Sequence, residues 1–410
     1  MEQNTYLEWV NSQYQNEFSP VLSSAKTCQD CHMASGYANA ANNISVPQIQ
    51  GRIANIQDDS FPAADNGAPL DKIRVRYRET GFHRHDLLGL NVFLLEMFNQ
   101  FSWVMGVRTT DYMSGAVNNL PNAIDNMVEQ ARTSTARVEV AVTDVERTGT
   151  KGGPTLSAQV KVTNLAGHRF PTGVGFRRAF IELLVKDAAG KVVWGSGRTN
   201  ELGVIVGGDG KPLPTEFFEN DANGKQQYQP HFDERCPITS ENQAQIYEEL
   251  ATDAEGRFTT SFLRRDHEVK DNRLLPIGWS QKGPDSSIPH YFLEATYPKP
   301  DREQGDRNAP KVESAWDDPN YQNGKGISIV KYRVPLPAGV DPGTVTVSAT
   351  LYYQSIPPYY LADRFRVGGK GPNTRRLYYL SSNLDWQDTP FGNWKLMIAS
   401  ASDLAGRVTH

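Results

Sequence analysis

The chain has 410 residues, which is enough for two or three domains. Its net charge of −5 offers no basic surface, so we do not expect nucleic acid as a partner. The three cysteines are too few for a disulfide scaffold. The most apolar stretch, residues 87–105, contains Asn, Glu and Gln, so it predicts a buried core helix and no transmembrane segment.

The first predicted element is a helix over residues 6–18. Its sequence, YLEWVNSQYQNEF, places Leu7, Val10, Tyr14 and Phe18 at helical spacing. No signal peptide is visible before it, because Met1 is followed by Glu-Gln-Asn-Thr.

The stretch KTCQDCHMASG, residues 26–36, separates Cys28 from Cys31 by two residues and places His32 directly afterwards. Zinc sites, dithiol redox centres and covalent haem sites all use a Cys-x-x-Cys pair, but only haem attachment requires the adjacent histidine. No strand precedes the pair as in a thioredoxin-like unit, and no second Cys-x-x-Cys completes a zinc site. The pattern therefore predicts haem c bound covalently through Cys28 and Cys31, with His32 as the proximal ligand of the iron.

Two further histidines are candidates for the second axial ligand. His85, in FHRHDLLGLN, immediately precedes the apolar helix and could reach into a haem pocket. Guanidinium groups that suit haem propionates come from Arg74, Arg76, Arg78 and Arg84. The alternative is a solvated basic strand followed by a capping histidine.

The second candidate is His168, in NLAGHRFPTG at residues 164–173. Gly167 and the Pro171-Thr172-Gly173 run predict a stiff loop after an alternating strand, and such a loop can present a side chain outward. The alternative is a loop histidine that bonds the backbone.

From about residue 136 the apolar residues alternate with a period of two. Strands are predicted in ARVEVAVTDVERT, LSAQVKVTN, AFIELLVKD, KVVWGSG, ISIVKYRVPL, GTVTVSATLYY and NWKLMIAS. We predict an α+β protein: a small helical haem-binding domain over residues 1–134, then an antiparallel immunoglobulin-like β-sandwich over residues 135–410. A long, loop-rich insertion at about residues 201–325 interrupts the sandwich.

These motifs together resemble those of bacterial multihaem c-type cytochromes. The resemblance rests on the Cys-x-x-Cys-His motif, His85-x-x-x-Gly89-x-Asn91 and Gly167-His168-Arg-Phe-Pro-Thr-Gly. It extends through HFDERCPITSENQAQIYEEL, KDNRLLPIGW and ATLYYQSIPPYYLADRF, and so over nearly the whole chain. In that family, histidines like His85 and His168 complete bis-histidine haems. With one haem motif and two such histidines, the chain is expected to be the C-terminal part of a multihaem protein. His85 is favoured for this haem because it is nearer in sequence.

The function expected from these features is electron transfer to a redox partner protein or a neighbouring haem domain. The alternative is a haem oxidoreductase acting on a small nitrogen or sulfur compound, although no catalytic constellation is visible. A third possibility is that the aromatic-rich LYYQSIPPYYLADRF binds carbohydrate or protein, but core packing explains it better. Because bacterial haem c is attached outside the cytoplasm, a periplasmic or extracellular location is expected, with the export signal upstream of this chain.

Overall fold

The computed structural model describes residues 4–34, 36–39, 44–46, 53–55, 76–78, 81–110, 112–113, 115, 117, 120–147, 153–285, 291–297 and 315–405. The chain forms two compact units, residues 26–89 and residues 1–25 with 90–410. Helices and antiparallel strands are both present, so the α+β class is confirmed. Across the described ranges, no helix combines the length and the apolar character that a membrane span needs.

The helices are α1 (Thr5–Val10), α2 (Cys28–His32), α3 (Val92–Gln100), α4 (Ser102–Met105), α5 (Leu120–Gln130), α6 (Pro319–Gln322), α7 (Pro358–Gly368) and α8 (Pro372–Asn383). The strands are β1 (Tyr37–Asn39), β2 (Ile44–Val46), β3 (Ile53–Asn55), β4 (Arg76–Arg78), β5 (Ala136–Glu146), β6 (Thr155–Asn164), β7 (Arg178–Lys186), β8 (Val192–Ser196), β9 (Ile246–Tyr247), β10 (Glu249–Thr252), β11 (His267–Asp271), β12 (Ile327–Pro335), β13 (Thr346–Gln354) and β14 (Leu396–Leu404).

The smaller unit contains α2 and two short antiparallel pairs, β1 with β2 and β3 with β4. In the larger unit the predicted strands pair into two antiparallel sheets. One has the order β12-β6-β5, and the other has the order β14-β13-β7-β8 with β9 beside β7. All seven predicted strand segments are found as strands β5 to β8 and β12 to β14.

The alternation of buried apolar residues along the strands explains both sheets. Along β6 every second residue is fully buried: Leu156, Ala158, Val160 and Val162. Along β13 the equivalent set is Val347, Ala349, Leu351 and Tyr353. Successive side chains of a strand point to opposite faces, so each sheet has one apolar face. The two sets belong to one hydrophobic cluster, which is therefore the core between the sheets. Burial of each Val or Leu contributes about 1.5–3 kcal/mol.

Two helices complete this core. Asn91 caps α3, since its Oδ1 accepts a hydrogen bond from Leu94 N at 3.1 Å. Helix α3 buries Phe93, whose ring centroid lies 4.7 Å from that of Trp394. Helix α5 adds Ile124 and Val128 to the same cluster. Since packing alone does not say which residues would surround a cofactor, the predicted domain border between residues 134 and 135 stays a prediction.

The first helix is shorter than predicted, because α1 ends at Val10. Beyond it, the side chains of Ser12 and Gln15 form hydrogen bonds with nearby backbone N–H and C=O groups. Ser12 Oγ donates to Trp9 O at 2.8 Å and accepts from Tyr14 N at 3.1 Å. Gln15 Oε1 accepts from Phe18 N at 2.7 Å. Such side-chain bonds offer the backbone an alternative to helical bonding and end the helix.

A buried ion pair ties β7 to the region between β8 and β12. Arg178 Nη1 and Nη2 lie 2.7 and 2.8 Å from the two carboxylate oxygens of Glu216. Arg178 Nε also donates to Gln354 Oε1 at 2.7 Å, and Glu216 Oε2 accepts from Ile205 N at 2.9 Å. Both charged side chains are only 2% exposed. Removing one partner would therefore leave the other charge buried without compensation.

We predict that Glu216→Gln lowers the free energy of unfolding by about 3–5 kcal/mol, because it leaves Arg178 buried and uncompensated. The matched control is Asp341→Asn at the exposed Arg147–Asp341 pair, where the loss should stay below about 1 kcal/mol. Urea-induced unfolding followed by tryptophan fluorescence measures both. Equal losses in the two variants would contradict the prediction.

Candidate functional site

The Cys-x-x-Cys-His motif forms a single helical turn that begins at Cys28 because Thr27 caps it. Thr27 N donates to Asp30 Oδ2 at 2.7 Å, and Asp30 N donates to Thr27 Oγ1 at 3.3 Å. This reciprocal capping box satisfies donors at the start of the helix. Cys28 and Cys31 stand three residues apart on the turn, so they share one side of it. Both cysteines are exposed.

His32, at the end of the turn, is held by the backbone of Leu88. Its Nδ1 lies 2.5 Å from Leu88 O, and Leu88 N donates to His32 O at 2.9 Å. A carbonyl oxygen only accepts, so Nδ1 carries the proton. In the neutral ring the lone pair then lies on Nε2. Metal-binding histidines characteristically donate their second ring N–H to such a partner.

The segment that contains His85 lies beside the end of α2. His83 Nδ1 is 2.9 Å from Met33 O, and Arg84 N donates to Ala34 O at 3.4 Å. The sequence analysis named His85, and not His83, as a ligand candidate in this segment. His85 itself is exposed, in a turn. The structure thus brings His85 into the same compact unit as the cysteine motif.

The predicted arginines of this segment are only partly described. Arg84 is half-buried in the segment beside α2. Arg76 and Arg78 belong to β4, which pairs with β3, and Arg74 lies outside the described residues. Their proposed contact with propionates stays a prediction.

Leu87 exposes its apolar side chain directly before Leu88, whose backbone carbonyl binds His32. Its side chain is 67% exposed, and its φ of 48° lies in the left-handed region. That conformation costs a non-glycine residue about 1–2 kcal/mol. Strained residues of this kind cluster at ligand sites. The smaller unit therefore offers an apolar contact together with two thiols and an imidazole.

Among the described residues, the two thiols belong to no group of three or more metal-ligating side chains. Partial burial of the Cys31 sulfur raises the pKa of that thiol even though the residue as a whole is exposed, and Asp30 and Cys28 add to the rise, against Lys26. Within the described part of the chain, a group of three or more metal-ligating side chains occurs only at His231, Asp233 and Asp318.

These three residues are buried in the larger unit, where their ligand atoms lie within 4.8 Å of one another. His231 Nε2 is 3.2 Å from Asp318 Oδ2. Asp233 is instead occupied by its neighbours: its Oδ1 accepts from Arg235 N at 2.7 Å and from Cys236 N at 3.0 Å. Whether His231 could bind a metal depends on which ring nitrogen carries the proton.

Two amide groups decide the tautomer of His231. Gln245 Nε2 and Asn272 Nδ2 each lie 3.2 Å from His231 Nδ1. Both amide orientations are fixed, because Gln245 Oε1 accepts from Phe232 N and Asn272 Oδ1 accepts from Glu248 N. Amide nitrogens only donate, so Nδ1 is the acceptor and the proton lies on Nε2, where it is donated to the carboxylate. This geometry favours a structural hydrogen bond over a metal site.

His168 lies in the loop that follows β6 and is half-buried. Its Nδ1 is 2.8 Å from Arg169 O, so its lone pair lies on Nε2, as in His32. Asn164 Nδ2 donates to His168 O at 2.8 Å. Gly167 packs closely, because a Cβ there would lie 3.1 Å from Tyr14 Cδ2 and would crowd that ring. His168 therefore lies in a closely packed loop, and its role as a ligand stays a prediction.

Glu8 of α1 holds both ends of the turn after His168. Its Oε2 accepts from Arg169 N at 3.1 Å and from Thr172 Oγ1 at 2.5 Å. Glu8 and Arg169 are almost completely buried. Residues more than 160 positions apart in the sequence therefore fix the place of this loop.

The same loop is tied to β11 through a buried charge cluster, which we define as Glu8, Arg169, Glu249, Asp271 and Arg273. Arg169 Nη1 lies 2.5 Å from Asp271 Oδ2. Arg273 Nη2 lies 2.8 Å from Asp271 Oδ2 and 3.0 Å from Glu249 Oε2. Burial would raise the pKa of Asp271, but Arg169 and Arg273 outweigh it and lower that pKa to about 2. Asp271 therefore stays ionised at neutral pH.

Few known proteins are similar to this chain. No family model matches the chain, and no curated protein matches it. Among solved structures, the penta-heme cytochrome c552 from Thermochromatium tepidum matches at 15% sequence identity and a TM-score of 0.33. The match covers 79% of this chain and 44% of that one, so the chain spans less than half the length of that cytochrome. A match at this TM-score decides neither the fold nor the function.

The depressed pKa of Asp271 predicts a specific loss of stability in acid. Its contribution of about 2 kcal/mol is present above the unfolded pKa of 3.8 and disappears as the pH falls towards 2. The free energies of unfolding of the unaltered protein and of Asp271→Asn should therefore converge between pH 4 and pH 2. Urea unfolding at several pH values measures this. Asp388→Asn, at an exposed aspartate, is the control and should show no such convergence.

Proposed function

We propose that the chain is a c-type cytochrome that carries electrons through a haem attached to Cys28 and Cys31. The observation that supports this most is the capped turn of α2, with His32 Nδ1 bonded to Leu88 O. This donor set fits haem c: two exposed thiols share one side of the turn, and the adjacent imidazole has its lone pair on Nε2. Zinc fits less well, since no further ligand group surrounds the thiols among the described residues.

Three residues of α2 then have defined tasks. Cys28 and Cys31 would form the thioether bonds, and His32 Nε2 would bind the iron. The Leu88 carbonyl holds the ring orientation and strengthens the imidazole as a ligand. Bound haem supplies a one-electron couple between Fe(III) and Fe(II). Exposed Leu87 offers an apolar contact beside the turn.

For the second axial ligand we propose His85. It lies in the same compact unit as the motif, and hydrogen bonds from residues 83, 84 and 88 tie its segment to residues 32–34. Two imidazoles fill both axial positions, which suits electron transfer better than substrate binding. Arg74, Arg76, Arg78 and Arg84 would pair with the propionates.

His168 would be a ligand for a haem other than the one on Cys28 and Cys31, as in a multihaem protein. Its rigid loop supports this role, because Glu8 and the buried charge cluster fix the backbone on both sides of it. Its Nδ1 bond to Arg169 O leaves the same tautomer as in His32.

The two sheets support an immunoglobulin-like sandwich as the scaffold. In order along the chain, β5, β6, β7, β8, β12, β13 and β14 correspond to strands A, B, C, C′, E, F and G. The observed sheets are then E-B-A and G-F-C-C′, an arrangement related to immunoglobulin domains. In this role the sandwich presents the His168 loop and a docking surface for a redox partner protein or a neighbouring haem domain. Haem c chemistry would place the protein in the periplasm or outside the cell.

We expect the protein expressed in a host that matures c-type cytochromes to carry a haem that survives denaturing electrophoresis. Cys28→Ala and Cys31→Ala should each remove one thioether, and the double variant should lose covalent haem completely. Cys236→Ala, the matched control, should retain it. Haem-stained gels and peptide mass spectrometry measure the outcome. A colourless or zinc-loaded protein would contradict the proposal.

The second axial ligand can be assigned by absorption spectroscopy. In the haem-loaded protein, His85→Ala should convert low-spin iron to a high-spin form, because one strong-field imidazole is lost. His267→Ala, at an exposed histidine of β11, should leave the spectrum unchanged. A low-spin spectrum in His85→Ala together with a high-spin one in His83→Ala or His168→Ala would assign the ligand elsewhere.

A further inference from the structure

A cleft of about 540 Å³ opens in the larger unit, between residues 253–264, the helical turn Pro214–Phe217 and α7. Its volume lies within the range of about 300–1,000 Å³ that is usual for small-molecule sites. No residue of the Cys-x-x-Cys-His motif contributes to it. The haem proposal does not account for this cleft.

The cleft has an excess of positive charge. Four arginines and two aspartates line it: Arg257, Arg264, Arg364, Arg366, Asp253 and Asp363. Asp253 pairs with Arg257 at 3.0 Å, and Asp363 pairs with Arg364 at 2.8 Å and Arg366 at 2.7 Å. Arg264 makes no ion pair with any residue in the described ranges. Arg257 also pairs with Glu255 at 3.0 Å, so a formal excess of one positive charge remains at the cleft and favours an anion.

One of these guanidinium groups is held in place before any ligand binds. Thr260 Oγ1 donates to Asp363 Oδ2 at 2.5 Å and accepts from Arg364 Nη2 at 2.6 Å. Arg364 also lies over the ring of Tyr360, 5.4 Å from its centroid. Thr260 and Arg364 lower the pKa of Asp363 against the opposing effect of burial, so the carboxylate is ionised. Such preorganisation reduces the entropy lost on binding.

Aromatic rings form the other wall. The rings of Phe218 and Phe258 stack with centroids 4.3 Å apart, and Tyr359 meets Phe218 edge-on at 5.4 Å. Phe218 has a φ of 53°, which a bulky residue rarely adopts. Phe217 and Val367 are partly exposed at the same cleft. The cleft thus combines flat apolar surface with arginine side chains.

We propose that this cleft binds a small aromatic carboxylate. Its ring would pack against Phe218 and Phe258, since aromatic pairs gain energy beyond the area they bury. Its carboxylate would pair with Arg264, because guanidinium groups bind carboxylates with two parallel hydrogen bonds. A neutral sugar would leave the excess positive charge uncompensated. This binding is independent of the haem proposal and adds a second activity to the chain.

The test is isothermal titration calorimetry of the full haem-loaded chain with 4-hydroxybenzoate. 4-Hydroxybenzyl alcohol, which has the same ring without the charge, should bind at least about tenfold more weakly, since a charged hydrogen bond is worth about 1.5–3 kcal/mol. Arg264→Gln should weaken binding of 4-hydroxybenzoate by at least about tenfold. Arg137→Gln, at an exposed arginine of β5, should leave it unchanged.

Arg264 is exposed, so its replacement should not affect folding, and an unchanged thermal unfolding curve verifies this. The proposal is overturned if neither 4-hydroxybenzoate nor benzoate binds saturably up to about 10 mM, a concentration far above the Kd of a specific ligand. It is also overturned if the alcohol binds as tightly as the acid, or if Arg264→Gln binds like the unaltered chain. Binding of a glutamate-rich peptide in place of both acids would assign the cleft to a protein partner.

Discussion

The ion pair between Arg169 and Asp271 lies in a buried cluster that joins three segments of the larger unit. Both side chains are excluded from water, and a buried charge is tolerated only when a partner lies in good geometry. Because Glu8 and Arg273 join the same cluster, α1, the loop after β6 and the end of β11 must take their places together. The His168 loop follows strand β6, and charge pairing fixes its position against α1 and β11. Displacing the end of β11 would remove Asp271, the carboxylate nearest to the Arg169 guanidinium.

The hydrogen-bond partner of each imidazole separates the histidines into two kinds. His32 and His168 donate from Nδ1 to a backbone carbonyl, which leaves Nε2 as the basic nitrogen. His231 has the opposite arrangement, since two amide groups donate to its Nδ1. In the sequence, the Cys-x-x-Cys motif marks His32, whereas nothing in the sequence shows the hydrogen-bond partners of His168 and His231. The neighbouring donors and acceptors decide which nitrogen of these two rings carries the proton.

Alternation and local capping made part of this structure predictable. The seven strands follow from their period of two, and Thr27 with Asp30 forms the short-range cap that begins α2. Interactions between distant residues were not predictable: Glu216 reads as a surface charge in sequence but is buried against Arg178, 38 positions away. Residues 6–18 have helical spacing, yet Ser12 and Gln15 bond the backbone and end the helix early. The helices α7 and α8 were missed because their charged and aromatic residues show no clear apolar face, and the cleft beside α7 was missed with them.

Helix α2 has only five residues, far fewer than the roughly 12–15 that an isolated helix needs to persist in water. Its order comes from the Thr27 cap and from the bonds to Leu88 and His83. Opening this turn breaks a handful of hydrogen bonds within the smaller unit and none of the bonds that pair the strands of the two sheets. If thioether bonds form as proposed, both thiols can therefore be reached in an extended segment whether or not the sheets have already folded.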